Sequence, residues 1–205
     1  MTIEELSSKV ADSATLSVSG QDDPEHLSLA ALDQVILFMP SDQLVEVQTG
    51  ILLLNLNQYL REHGFEIPYG WPDSEQDRTV ADLLSYNYPH AASPEVGSWR
   101  DWVVKMVIIL ASGEIVKSGA NVVKNVSGYD VHKLMIGARY TLGIPIQVTL
   151  RIRPFTGAKQ YPASSELIDQ ASLLSISETE QKLMSRTKQI FDPTNKLNPG
   201  AFGFI

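Results

Sequence analysis

The sequence predicts an α+β fold, and three observations carry that prediction. Trp102 to Leu110 is almost wholly apolar and rich in β-branched residues, the pattern of a strand buried on both faces. Ala111-Ser112-Gly113 then supplies a turn, where Gly113 can take positive φ without a steric cost, and Glu114 to Ser118 returns as the second strand of a hairpin. Helical signals lie on either side of this hairpin. Thr2 and Glu5 form a capping box ahead of a helix over Ile3 to about Val10, and a further helix is predicted from about Ser177 to Ile190.

The remaining elements follow in order. Thr15 to Ser19 reads as a strand, Gly20 to Pro24 as a turn or loop, and Leu27 to Leu29 as a short strand. Gln34 to Met39 is a longer strand, turned by Pro40-Ser41-Asp42 into Leu44 to Gln48. Leu52 to His63 is helical, with Leu53, Leu56, Tyr59 and Leu60 on one face and Gly64 as its stop. Pro89 to Pro94 reads as a loop. Asp130 is placed to cap a helix from Val131 to Ile136, closed by Gly137. Ile146 to Ile152 alternates apolar and polar residues, which predicts a half-buried strand.

Composition narrows the function. A chain of 205 residues suits one domain, or one with a small appendage, and 43% apolar residues is ordinary for a globular core. The net charge is −8 and there is no basic run, which argues against nucleic acid or an anionic membrane surface as the main partner. With no cysteine, disulfides, thiolate metal sites, iron–sulfur clusters and cysteine nucleophiles are all excluded. His26, His63, His90 and His132 read as solvated, and none pairs with a carboxylate at metal-ligand spacing, so no metal is predicted. The opening MTIEELSSKVADS has no basic-then-apolar signal pattern and no apolar run is long enough to span a bilayer, so a cytoplasmic location is the expectation.

A resemblance adds to this reading. Gly97-Ser98-Trp99-Arg100-Asp101, the Ala111-Ser112-Gly113 hairpin, Val122 to Asp130 with Lys124-Asn125-Val126-Ser127-Gly128-Tyr129-Asp130 at its heart, and Gly137 to Gly143 stand in the order of a known pattern. So does the ending Phe191-Asp192-Pro193 through Leu197-Asn198-Pro199-Gly200. This order resembles the FAD-binding domain of the vanillyl-alcohol-oxidase (PCMH) type flavoproteins. Within that group it looks most like the small FAD-binding subunits of bacterial glycolate oxidases, or glycolate dehydrogenases. The resemblance implies two α/β subdomains over residues 1–155. Residues 156–205 would form a short linker, helix and C-terminal tail where the family carries a substrate cap. It implies FAD as cofactor, contacted by Pro72, Thr79, Gly97, Ser98, Asp101, Gly143 and Ile144, with catalytic residues unassigned. As partners it implies catalytic flavoprotein and iron–sulfur subunits.

The chain departs from the family pattern at three cofactor-contacting segments. The first phosphate loop reads Ser19-Gly20-Gln21-Asp22-Asp23-Pro24-Glu25, with one glycine, carboxylates that repel a pyrophosphate, and a proline without an N–H. Two glycines of the second segment are Ala81 and Asp82. The middle glycine of the third is Tyr140, followed by Pro145. Arg139 is a candidate phosphate partner or an exposed helix-end arginine. Two readings follow: an accessory FAD-binding subunit of a glycolate dehydrogenase-like complex, or a flavin-free structural or assembly subunit. In the second, Tyr140 fills the old cofactor space and Trp71, Trp99 and Tyr86 are exposed for a protein partner.

Overall fold

The computed structural model describes residues 1–21, 25–67, 78–88, 90, 93–120, 130–157 and 176–203. Asp22, Asp23, Pro24, Trp71, Pro72 and the Lys124 to Tyr129 motif lie outside the described residues.

The chain opens with helix α1 (Ile3–Asp12), whose Thr2/Glu5 capping box is formed reciprocally. Strand β1 (Val18–Ser19) pairs in parallel with β2 (Leu27–Ser28). The expected strand from Thr15 is shorter than predicted. Its start is held instead by a parallel bridge from Leu16 to Leu197. β3 (Val35–Met39) turns through Pro40–Asp42 into β4 (Leu44–Gln48), and α2 (Leu53–Glu62) follows. Next come β5 (Phe65–Glu66), α3 (Val80–Tyr86), the single turns α4 (Ser93–Val96) and α5 (Trp99–Trp102), and the hairpin β6 (Val103–Ile109) with β7 (Ile115–Gly119). α6 (His132–Met135), β8 (Ile144–Arg151), β9 (Arg153–Pro154) and α7 (Glu178–Phe191) complete the order.

The central sheet has five antiparallel strands in the order β3-β4-β8-β6-β7. One apolar cluster joins α2 and α3 to the sheet through Leu53, Leu56, Leu60, Leu83, Met106 and Val148. A second joins α1, β1 and β2 to Val107, Ile109, Ile144, Ile146 and Tyr140. Burial of these side chains at about 1.5–3 kcal/mol each dominates the stability of both layers.

Two sequence expectations need correction here. β8 is not half-buried, because β4 and β6 flank it and both faces are covered. Val107 pairs with Gln147 while Ile108 pairs with Pro145, so β8 carries one extra residue at Ile146. This bulge tolerates Pro145 inside a central strand and re-aims the side chains beyond it, which defeats a simple period of two. Asp130 does not cap α6 with its side chain. Val131 occupies the cap position, and Asp130 pairs with Lys133 at 2.9 Å. That ammonium holds the Asp130 carboxyl below its ordinary range.

Candidate functional site

Three segments depart from the family pattern, and the fold brings Gly20 of the first, Asp82 at the start of α3 and Tyr140 in the turn before β8 to one point. Thr79 caps α3, its Oγ1 accepting from the Asp82 N–H at 3.2 Å. Capping fixes the first turn of α3 and directs the Asp82 side chain at its neighbours. Asp82 Oδ1 accepts from the Gly20 N–H at 3.0 Å and from the Tyr140 hydroxyl at 2.8 Å. The Thr79 hydroxyl lies 3.3 Å from Asp82 Oδ2. Tyr140 is fully buried and Asp82 nearly so. Burial, followed by the charge of Asp82 and its hydrogen bond, pushes the Tyr140 phenol well above its ordinary pKa, so it stays a donor.

The turn bearing Tyr140 is anchored on the C-terminal end of α3. Gly137 donates to Leu84 O at 2.9 Å and Arg139 to Ser85 O at 2.7 Å. Arg139 and Tyr140 both hold positive φ, +49° and +61°, a conformation suited to glycine. The turn has kept a glycine-like backbone while a large side chain has entered the core.

These residues do not fit a dinucleotide pyrophosphate. The Gly20 N–H, which the resemblance would assign to phosphate, is taken by a carboxylate of this chain. Gly20 packs so closely on α3 that even a Cβ there would strike Thr79 Oγ1 and lie 2.7 Å from the Asp82 carboxyl carbon. A phosphate in this place would meet like charge at contact distance as well as occupied space.

Of the other predicted site residues, Ile144 lies in the same apolar cluster as Tyr140 and Ala81. Gly143 precedes it at the entry to β8. Gly97, Ser98 and Asp101 lie at the start of α5. Asp101 Oδ2 accepts from the Ser98 N–H at 2.8 Å, and Ser98 Oγ lies 3.0 Å away. Trp99 is buried rather than exposed, its indole N–H donating to Tyr88 O at 3.0 Å, whereas Tyr86 is exposed as expected.

Two histidines read as solvated are buried. His90 stacks obliquely on Trp99 at 5.7 Å between ring centres, and burial pulls its pKa below the ordinary value. His132 is buried beside Ser118 Oγ, 3.1 Å from Nδ1, and is lowered for the same first reason. Arg139 is not an exposed helix-end arginine. It is half-buried between the Tyr86 and Phe202 rings, and its Nη1 donates to Ala201 O at 2.8 Å.

Sequence reasoning missed a lysine–aspartate hub beneath this site. Lys188 Nζ reaches Asp192 Oδ2 at 2.7 Å, Leu197 O at 2.6 Å and Thr141 O at 3.1 Å. Asp192 accepts in turn from the N–H groups of Lys196 at 3.0 Å and Leu197 at 2.7 Å. The four-residue spacing of Lys188 and Asp192 was the available signal.

The chain has clear relatives. The FAD binding domain family matches residues 10–134. A D-lactate dehydrogenase of Anaerostipes hadrus is 36% identical over 129 residues, covering 62% of this chain and 26% of that protein. The glycolate oxidase subunit GlcD of Bacillus subtilis is 26% identical over 175 residues, covering 69% and 37%. The glycolate oxidase subunit GlcE of Escherichia coli is 23% identical over 161 residues, covering 74% and 46%. This chain therefore spans less than half the length of each of these relatives. An alkyldihydroxyacetonephosphate synthase structure superposes with a TM-score of 0.61 at 17% identity, over 76% of this chain and 30% of the other, which supports the shared fold.

Proposed function

The chain belongs to the FAD binding domain family, and on that premise we propose that it is an accessory, flavin-free subunit of a glycolate dehydrogenase-like oxidoreductase assembly. The carrying observation is the Asp82 junction. There a carboxylate, a tyrosine and a tightly packed glycine meet where the family resemblance would place phosphate, within an intact core, which supports this reading. In this reading Thr79, Gly97, Ser98 and Asp101 serve as caps and turn formers, and residues 156–205 close the 1–155 domain. Any hydride or electron chemistry resides on partner subunits, as does any iron–sulfur centre, since this chain has no cysteine.

An apolar surface supports a role in protein contacts. Leu183 and Ile190 on α7 are 65% and 78% exposed, and Leu134 on α6 is 50% exposed. Leu134, Leu183 and Met184 line a groove of about 550 Å³ between the two helices. Among the described residues no helix is long and apolar enough to cross a membrane.

The test is a visible spectrum of the purified protein, repeated after incubation with excess FAD and desalting. The expected result is a colourless protein in both samples. Flavin bands that survive desalting would overturn the flavin-free reading and make this chain a redox subunit.

A further inference from the structure

The groove between α6 and α7 carries charge as well as apolar surface. Its α7 wall is made of Glu180, Leu183, Met184 and Thr187, while Leu134 of α6 and Arg100 of α5 line it elsewhere. Positions 180, 183, 184 and 187 share one helical face, and Ile190 continues that face past the groove. Leu134, Leu183 and Ile190 stand exposed there. We propose that this face receives an amphipathic helix of a partner protein, with carboxylates flanking its apolar stripe. This rests on the reading of the chain as an assembly subunit and adds the chemistry of its partner.

The charges beside the groove choose the partner. Lys182 and Arg186 are exposed, four residues apart, and border the Leu183–Ile190 stripe on the side away from the buried Lys188. Lys182 lies 3.9 Å from Glu178, but both side chains are largely in solvent, so that pair holds little energy. Arg186 has no hydrogen bond or ion pair among the described residues. Arg100 adds a third cation to the lining. The acids of α7 on this side are confined to its first turn. Glu180 there serves its own helix start, accepting from the Ser177 N–H at 2.8 Å and from Ser177 Oγ at 2.6 Å. The rest of the face is therefore cationic on a chain of net charge −8. At physiological salt, charges more than about 8 Å apart are largely screened, so these local cations outweigh the distant acids at a docking helix.

A second copy of this chain is the wrong occupant. Seating Leu183 of one copy against Ile190 of another sets residue 186 opposite residue 187, so the two Arg186 guanidinium groups crowd together. A parallel pairing of the two helices also places Arg186 beside Arg186. An acidic helix meets neither penalty, and the 14 residues of α7 offer it about four turns of contact, anchored at i, i+4 and i+7 by residues 183, 187 and 190.

The probes are two fluorescent synthetic helices of about four turns, identical in their leucine stripe, one flanked by glutamates and the other by lysines. Anisotropy titration of the full chain is expected to show saturable binding of the glutamate helix, about tenfold tighter than the lysine helix, with the gap narrowing as salt rises. Lys182→Glu/Arg186→Glu should invert the preference, and Leu183→Asp/Ile190→Asp should weaken both probes. All four side chains are exposed, so each variant should keep the thermal midpoint of the parent. The proposal is overturned if neither helix saturates, if the lysine helix binds as well, or if the charge-reversed variant keeps the parent's preference. A dimer in sedimentation that Leu183→Asp/Ile190→Asp separates would overturn it too. The flavin spectrum is decided separately. Flavin bands together with a retained glutamate preference would overturn the flavin-free reading alone, and a colourless protein without that preference would overturn this proposal alone.

Discussion

At the scale of single residues, Tyr140 and Asp82 meet in a buried hydrogen bond. Their individual departures from glycine are legible in the sequence. Their union is not, because the two are 58 positions apart and meet only through the packing of α3 against the turn before β8. Tyr140→Phe deletes one donor to a buried carboxylate, and urea denaturation should show a loss of about 1–3 kcal/mol. A neutral result would mean that the hydroxyl contributes nothing to the junction. His90 and His132 are a second residue-scale case. Both lay in stretches whose burial depends on distant elements, so a solvated reading was the natural one. Burial lowers both from an ordinary value of 6.5. Below pH 6.5 the unfolded chain therefore binds protons that the folded chain refuses. Stability is full above that pH and falls through the window beneath it until the folded histidines titrate in turn. Denaturation midpoints at pH 7.5 and 5.5 should diverge, and they should diverge less in a His90→Gln/His132→Gln variant. An unchanged difference would assign the acid sensitivity to other groups.

At the scale of elements, locally encoded features were readable. The capping box at Thr2, the helix start near Ser177, the glycine turn at Gly113 and the leucine face of α2 each depend on residues within one or two turns. β8 was misread because its burial comes from β4 and β6, which lie far away in the sequence, and from the bulge beside Pro145. The end of α7 is organised by Asp192. Burial alone would raise its carboxyl, but the Lys188 ammonium and the N–H groups of Leu197 and Lys196 outweigh burial and hold it low. Lys188→Met would strand that carboxylate and should cost about 3–5 kcal/mol, seen as a large fall in the thermal midpoint. A change within about 0.5 kcal/mol, the range of an ordinary surface substitution, would show that the hub is dispensable.

At the scale of the whole molecule, the family fold persists around the buried Asp82–Tyr140 junction. The hydrophobic pattern that builds two packed layers can be kept while a ligand site is filled, because fold and function rest on different residues. The apolar strip on α7 then becomes the feature most in need of an explanation. A Leu183→Asp/Ile190→Asp variant should keep its thermal midpoint, since both side chains face solvent. It should lose co-purification with partner subunits if the strip is the assembly surface. Retained co-purification would place the contact elsewhere.

The junction between Leu16 and Leu197 has a consequence for biosynthesis. Leu16 reaches its bridge partner only when residue 197 is available, and Lys196 closes against Val10 O at 2.9 Å and Ala111 O at 2.9 Å. At about 5–20 residues added per second, the amino-terminal layer waits on the order of ten seconds or more for its closing partner. During that interval the ribosome holds a nascent chain whose first apolar layer is incomplete, a state suited to chaperone capture. Shortening the chain before Asp192 should therefore damage the beginning of the protein as much as its end.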